Sequence, residues 1–352
     1  MVGPDAALPL PWMQPWLEAA LGSQRGHAVL IHGPQGIGQW QLSIVLAQAW
    51  LCEAGEGPRR PCGHCASCRM VQARSHPDLL VLVPESQQAT LGWAPAESEG
   101  EAVEGGGKRQ PSKEIRVEAV RSAVAFAQTT AARDAGKVVV LHPAERMNGI
   151  AANALLKTLE EPAGTARFVL SCAAPEALLP TIRSRCQAFA LPLPPAELAA
   201  DWLASQGVAQ APVVLAAAGG QPMDALDWVR EGLEARGWLQ LPALMQRGDP
   251  SQLSGWPLPR VVDALQKLCH DAMAANVGAE PRYFPAETLP RATDLARLLA
   301  WSRELLRASR QAEHPLNAGL AIEALVTQAR RALAEPSRGG PARQPLSVHS
   351  VG

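Results

Sequence analysis

What this 352-residue chain lacks sets the first limits. It has no charge of one sign: 32 Lys plus Arg stand against 33 Asp plus Glu. The field that would mark a DNA-coating or membrane-surface protein is therefore missing, and any nucleic-acid contact must be local. No uninterrupted apolar stretch approaches the roughly 20 residues that cross a bilayer. Met1 to Leu21 shows no basic segment followed by an apolar run. A soluble, cytoplasmic protein is expected. A disulfide framework is lacking as well. Four of the seven cysteines, Cys52, Cys62, Cys65 and Cys68, crowd one short region while Cys172, Cys186 and Cys269 are scattered, which suits a reducing compartment and suggests metal. At this length one hydrophobic core is not enough, and two or three domains are expected.

The residues that are present divide the chain in two. In the first half, short apolar runs at His27–His32, Asp78–Val83, Lys137–His142, Arg167–Ser171 and Gln187–Leu191 alternate with helical patterns. Buried strands separated by helices predict an α/β fold, a parallel sheet with helices on both faces. The stretch Glu85–Lys113, rich in Gly, Ala, Glu and Ser, is expected to be a mobile insertion. After the LPLPP run at Leu191–Pro195 no strand pattern recurs. Apolar residues fall at helical spacing over Ala196–Leu203, Pro212–Ala218, Asp224–Leu233, Leu289–Arg310 and Leu316–Leu333, so the second half is expected to be all-helical. The leucines 295, 298, 299, 305 and 306 form stripes that are more often helix–helix core than anything specific. The tail 336–352, rich in Pro, Gly, Ser and Arg, is expected to be disordered.

The first chemical signature is Gly33-Pro34-Gln35-Gly36-Ile37-Gly38-Gln39-Trp40, between an apolar strand and a helical run, as a phosphate loop should be. A working G-x-x-x-x-G-K-[ST] loop uses the Lys ammonium on the outer phosphates and a small hydroxyl on magnesium. Gln39 and Trp40 stand there instead. A neutral amide does not replace the charge, and an indole offers no oxygen to a metal. Magnesium-dependent ATP binding is not expected, and a glycine turn with no ligand history remains the plain alternative. The acidic partner strand ends in His142-Pro143-Ala144-Glu145, with His142 and Pro143 in the slots of the metal-binding Asp and the water-polarising Glu. His142 reads as an ordinary strand-end residue. Glu145 lies close enough to keep a weaker carboxylate alternative open.

The run Cys62-x-x-Cys65-x-x-Cys68 comes after Cys52 at short loop spacing. Four soft thiolates can close a tetrahedral shell around zinc and leave no open coordination position, so such a site would be structural. An iron–sulfur cluster is the rival, but the bacterial spacing expects a fourth Cys followed by Pro downstream, and Arg69-Met70-Val71 supply none. His64 and His76 are expected to be bystanders.

Asn153-Ala154-Leu155-Leu156-Lys157-Thr158-Leu159-Glu160-Glu161-Pro162, with Thr181-Ile182-Arg183-Ser184-Arg185-Cys186 after it, resembles a clamp-loader AAA+ module over roughly Ala19 to Asp227. As a helix the first segment places Ala154, Leu155, Thr158 and Leu159 on one stripe, with Lys157 able to pair with Glu160 or Glu161. The altered loop, the cysteine cluster, the HPD at His76–Asp78 and the Ser-Arg-Cys together resemble the delta-prime family of bacterial DNA polymerase III clamp loaders. That resemblance implies an ATPase-like domain over 1–193, a helical lid over 194–232 and a helical collar over 233–335. It also implies the same four-cysteine zinc module and partnership with delta and with tau or gamma ATPase subunits. The sliding clamp and primed DNA would be reached through that assembly. Arg185 matches the finger that such subunits extend to a neighbour's ATP. Met223 stands where active relatives keep a phosphate-sensing Arg, and Cys172 or Ala173 where they keep a polar sensor. The readings that compete are an active tau- or gamma-type ATPase, which would need the residues replaced by Gln39, Trp40 and His142, and a zinc-dependent nucleic-acid-binding module.

Overall fold

A computed structural model of the protein describes residues 1–23, 26–54, 60–93, 110–290, 293–311 and 318–334. The tail 336–352 lies outside them, as does 94–109 of the expected insertion. Five strands, β1 (Ala28–His32), β2 (Leu79–Leu82), β3 (Val138–Leu141), β4 (Arg167–Cys172) and β5 (Gln187–Ala190), form one sheet of order β2-β3-β4-β1-β5. Every pairing is parallel: Ala28 faces Phe168, Val29 faces Gln187, and Val138 faces both Leu79 and Arg167. All five sequence-predicted strands are present.

Between and before the strands lie α1 (Gln14–Ser23), α2 (Gln39–Leu51), α3 (Ala66–Gln72), α4 (Glu85–Gln88), α5 (Val117–Gln128), α6 (Gly149–Glu160) and α7 (Pro180–Arg183). Strand side chains alternate between faces. Leu30, Val139, Leu141, Phe168 and Leu170 join Val120, Ala123, Leu155 and Leu159 of α5 and α6 in one buried cluster. Val29, Ile31, Val138, Val140 and Val169 alternate with them and are buried too, and α2 packs on β3 and β4. Helix α2 is buried on nearly every side, from Leu42 to Leu51, which is why its apolar pattern has no polar stripe. In α6, Asn148 caps the start by accepting from the Ala151 N–H at 2.9 Å.

The chain forms two compact units, Met1–Val208 with Gly220–Asp227, and Ala209–Gly219 with the chain from Trp228 onward. Residues 194–232 are thus shared between the two units, which hold α8 (Ala196–Ser205), α9 (Ala211–Ala217) and α10 (Pro222–Arg230). The second unit continues through α11 (Ala235–Arg247), α12 (Leu258–Asn276), α13 (Leu295–Gln311) and α14 (Ala318–Leu333), with no strand among its described residues. Trp238 is fully buried there, stacked on Phe284 at 4.5 Å, with its Nε1–H donating to the Tyr283 carbonyl. The leucines of α13 divide, with Leu298 and Leu305 buried beside Trp301 and Leu295, Leu299 and Leu306 exposed.

The insertion is corrected in part. Its described ends are ordered: Glu85 opens α4, the Ser86 N–H donates to the Ser112 carbonyl at 3.1 Å, and Glu85 pairs with Arg116 at 3.2 Å. The composition concealed a large aromatic group, Trp93, which gives the segment something to pack against Trp40. No described helix is long and apolar enough to cross a membrane.

Candidate functional site

Parallel strands end together, so the loops that leave β1, β3, β4 and β5 converge on one edge of the sheet. Gly33 leaves β1 there, tight against Leu191 just past β5. Gly36 and Gly38 take φ of 72° and 111°, conformations that side chains rarely adopt, and Gly38 starts α2 by accepting from the Leu42 N–H at 2.9 Å. The loop therefore has the backbone form of a phosphate cradle.

Its contents are the chain's own. Gln39 is buried, and its Nε2 donates to the Gly33 carbonyl at 2.9 Å and to that of Pro34. The side chain that replaces lysine thus turns inward and ties the loop to itself. Trp40 meets Trp93 edge-on at 5.8 Å and lies tilted against His142 at 5.3 Å. His142 Nδ1 is 2.9 Å from the Ser171 hydroxyl, and burial brings its pKa down to about 4. Burial thus holds the imidazole neutral against the indole.

The residues expected at the sensor positions are engaged in the same way. The Met223 N–H donates to the Gly36 carbonyl at 2.9 Å, and the neighbouring Asp224 carboxylate stands where a Cβ on Gly36 would be. A carboxylate at a phosphate loop disfavours a second anion. The Ala173 N–H donates to Glu145 Oε1 at 2.8 Å, while Glu145 Oε2 is buried with no partner among the described residues. Cys172 is buried as a thiol, pushed up to about 12 by burial first and by Glu145 and Glu176 after it.

Cys52, Cys62, Cys65 and Cys68 come together, their sulfurs all within 4.8 Å of one another. The Cys62–Cys68 and Cys65–Cys52 sulfur pairs are 4.0 Å apart, near the edge of about 3.8 Å that a zinc–sulfur distance of ~2.3 Å gives in a tetrahedron. The N–H groups of Cys62, Cys65 and Cys68 donate to the sulfurs of Cys52, Cys62 and Cys65 at 3.3–3.4 Å. Burial pushes the Cys52 and Cys68 thiols up. At Cys65 burial acts in the same sense, but the backbone at Cys68 and Glu53 outweighs it and brings the thiol down to about 6. The donor set and its span fit a closed four-thiolate metal site.

Neither nearby histidine joins it. His64 Nδ1 lies 2.8 Å from the Cys62 carbonyl. His76 Nδ1 accepts from the Asp78 N–H at 3.0 Å, and its Nε2 reaches the hydroxyl of Ser67 on α3. Buried Asp78 accepts from the Ala132 and Arg133 N–H groups at 2.8 and 2.9 Å and pairs with Lys137. The HPD motif thus ties the cysteine segment to the sheet.

Arg185 lies just past α7 and is partly exposed, while Cys186 beside it is buried with its thiol pushed up to about 12 by burial. Arg185 Nε donates to Glu160 Oε1 at 2.5 Å, Nη2 to the same oxygen, and Nη1 to the Thr181 carbonyl at 2.8 Å. Glu160, offered by spacing to Lys157, is engaged by Arg185 instead.

The inward Gln39, the seat of Asp224 on Gly36 and the Arg185–Glu160 pair have no signature in spacing, because each joins residues distant in the chain or depends on a rotamer. Trp93 does have one: a lone large aromatic in a stretch of small and acidic residues.

The strand order, the glycine loop after β1 and the helical second half define a P-loop-type parallel α/β sheet followed by helical regions. The family described as DNA polymerase III, delta subunit matches residues 13–195, about half of the chain. Proteins described as DNA polymerase III subunit delta-prime are similar to it. The one from Pseudomonas aeruginosa is 39% identical over 61% of this chain and 60% of its own length. The Escherichia coli one is 32% identical over 76% and 79%, and the Yersinia pestis one 30% identical over 85% and 87%. The Escherichia coli tau subunit is 30% identical over 47% of this chain and 21% of its own length. The chain belongs to the delta-prime family of DNA polymerase III subunits. Its match spans less than two thirds of the Pseudomonas aeruginosa relative.

Proposed function

We propose that this chain is a non-hydrolysing clamp-loader subunit that binds no ATP of its own and lends Arg185 to the ATP of a neighbouring tau- or gamma-type subunit. With delta and those ATPases it supports the placing of a sliding clamp on primed DNA in replication. Cys52, Cys62, Cys65 and Cys68 would hold a structural zinc, which supplies cross-linking and no chemistry. The ATPase-like domain is taken as 1–193, the lid as 194–232 and the collar as 233–335.

The observation that carries this reading is the inward Gln39. Its amide bonds the Gly33 and Pro34 carbonyls in the place where an ammonium would reach for phosphates. Asp224 against Gly36 and the contact of Trp40 with His142 act in the same direction. Arg185 supports the second half of the reading. A planar, permanently charged fork, held at the surface of an otherwise silent module, suits a phosphate presented from outside.

Calorimetric titration of the full chain with magnesium and ATP tests the first half. No binding heat is expected, and a dissociation constant tighter than about 0.1 mM would sink the reading.

A further inference from the structure

Helix α6 ends on Glu160, with Glu161 as its C-cap. The carboxyl end of a helix carries partial negative charge and favours cations, so the helix dipole gives no reason for an acid there. What Glu160 does have is Arg185, which gives it Nε–H at 2.5 Å and an Nη2–H on the same Oε1, while Nη1 donates to the Thr181 carbonyl of α7 at 2.8 Å. Nη1 also lies 3.4 Å from the Ser184 hydroxyl.

The two anchors stand on firm ground. Leu155 and Leu159 of α6 and Ile182 of α7 are buried in one cluster, and Cys186 joins them directly after the arginine. The pair itself is at the surface, with side-chain exposures of 30% for Arg185 and 46% for Glu160, and an ion pair so exposed contributes little to stability. The fold does not need it.

We propose that Glu160 is the positioning residue of the Arg185 finger, an inference that rests on the reading of Arg185 given above. An unrestrained arginine must freeze several torsions when it meets a phosphate. Glu160 and Thr181 fix the guanidinium beforehand, one at each side, and so remove that entropic cost from the step in which charge develops. Of the five N–H donors, Glu160 takes Nε–H and one on Nη2. The second Nη2–H has no partner among the described residues and is left to meet an incoming oxyanion.

The test is single-turnover ATP hydrolysis in a loader reconstituted from this full chain with its delta and tau- or gamma-type partners, following the phase that belongs to the adjoining site. Glu160→Ala is expected to slow that phase about 10-fold with the ATP concentration dependence unchanged, the scale of a lost orienting contact. Glu160→Gln, which keeps an oxygen acceptor, should restore most of the rate. Glu160→Asp, which keeps the charge but shortens the reach, should stay slow while folding and assembling normally. In an Arg185→Ala background, Glu160→Ala should cost nothing more.

A normal or faster phase in Glu160→Ala, with Arg185→Ala slow, overturns the positioning role and leaves the finger standing. An additive loss in the double variant overturns it too. If Arg185→Ala alone leaves the phase unchanged, the finger reading fails and this inference fails with it.

Discussion

Trp40 lies against His142, ring centroids 5.3 Å apart and planes tilted by 37°. In a working phosphate-loop protein these two positions hold a small hydroxyl and a carboxylate that meet at a magnesium ion. Here they meet as two rings, and Trp93 packs edge-on against the same indole. The geometry that suits a cation in a working phosphate loop is an apolar contact here, joining the loop, the end of β3 and the segment after α4.

Restoring the loop residues alone is not expected to restore nucleotide binding. Gln39→Lys with Trp40→Thr would return an ammonium and a hydroxyl, but His142 and Pro143 would still offer no metal ligand, and Asp224 would still face Gly36. Titration of that double variant with ATP and magnesium should show no binding at concentrations where working relatives saturate.

The buried His142 makes a definite contribution to pH dependence. Its folded pKa, about 4, is below the ordinary value of 6.5, so between those values the unfolded chain binds more protons and folding stability rises with pH. The effect is complete above about pH 6.5 and is lost progressively as the pH falls toward 4. Between pH 7 and pH 5 roughly 2 kcal/mol of it is lost. Chemical denaturation of the protein and of His142→Gln at pH 7 and pH 5 should give a smaller difference for the variant by that amount. His76, also depressed chiefly by burial, acts in the same sense in both proteins and cancels.

Cys68 is fully buried in the four-cysteine cluster, and Cys68→Ser removes one of four sulfurs. Elemental analysis of the purified protein is expected to show one zinc per chain, and the variant much less. Because a structural site contributes its binding energy to folding, the variant should lose several kcal/mol of stability. Iron in place of zinc, with visible absorption, would favour the cluster chemistry instead. An absence of any metal in undamaged protein would contradict the reading.

Much of this is legible in the residues. Buried parallel strands read as apolar runs because both faces are covered, as in β1, β3 and β4; β5, at the sheet edge, is half exposed and is marked mainly by its place before the LPLPP run. The loop, the cysteines and Ser-Arg-Cys are local patterns, and local patterns survive in one dimension. Helices α11 and α12 are harder to read. Pro242 lies inside the first, and Pro257 and Pro259 flank the start of the second, where proline usually signals interruption. Relations across the fold are not legible at all. Met223 aligns with the sensor position, yet it is Asp224 whose side chain faces the loop. Glu160 offers itself to Lys157 by helical spacing, and only the approach of α7 to α6 delivers it to Arg185.

The central claim is that this subunit's phosphate chemistry is performed on a neighbour's ATP. The most direct measurement is ATP hydrolysis by a loader assembled with Arg185→Ala. The variant should fold, should enter the complex in normal amount, and should slow the adjoining site by a factor in the range of about 10³–10⁵ known for arginine fingers. Total turnover would then fall by that site's share. Undiminished hydrolysis at every site of a fully assembled complex would contradict the account.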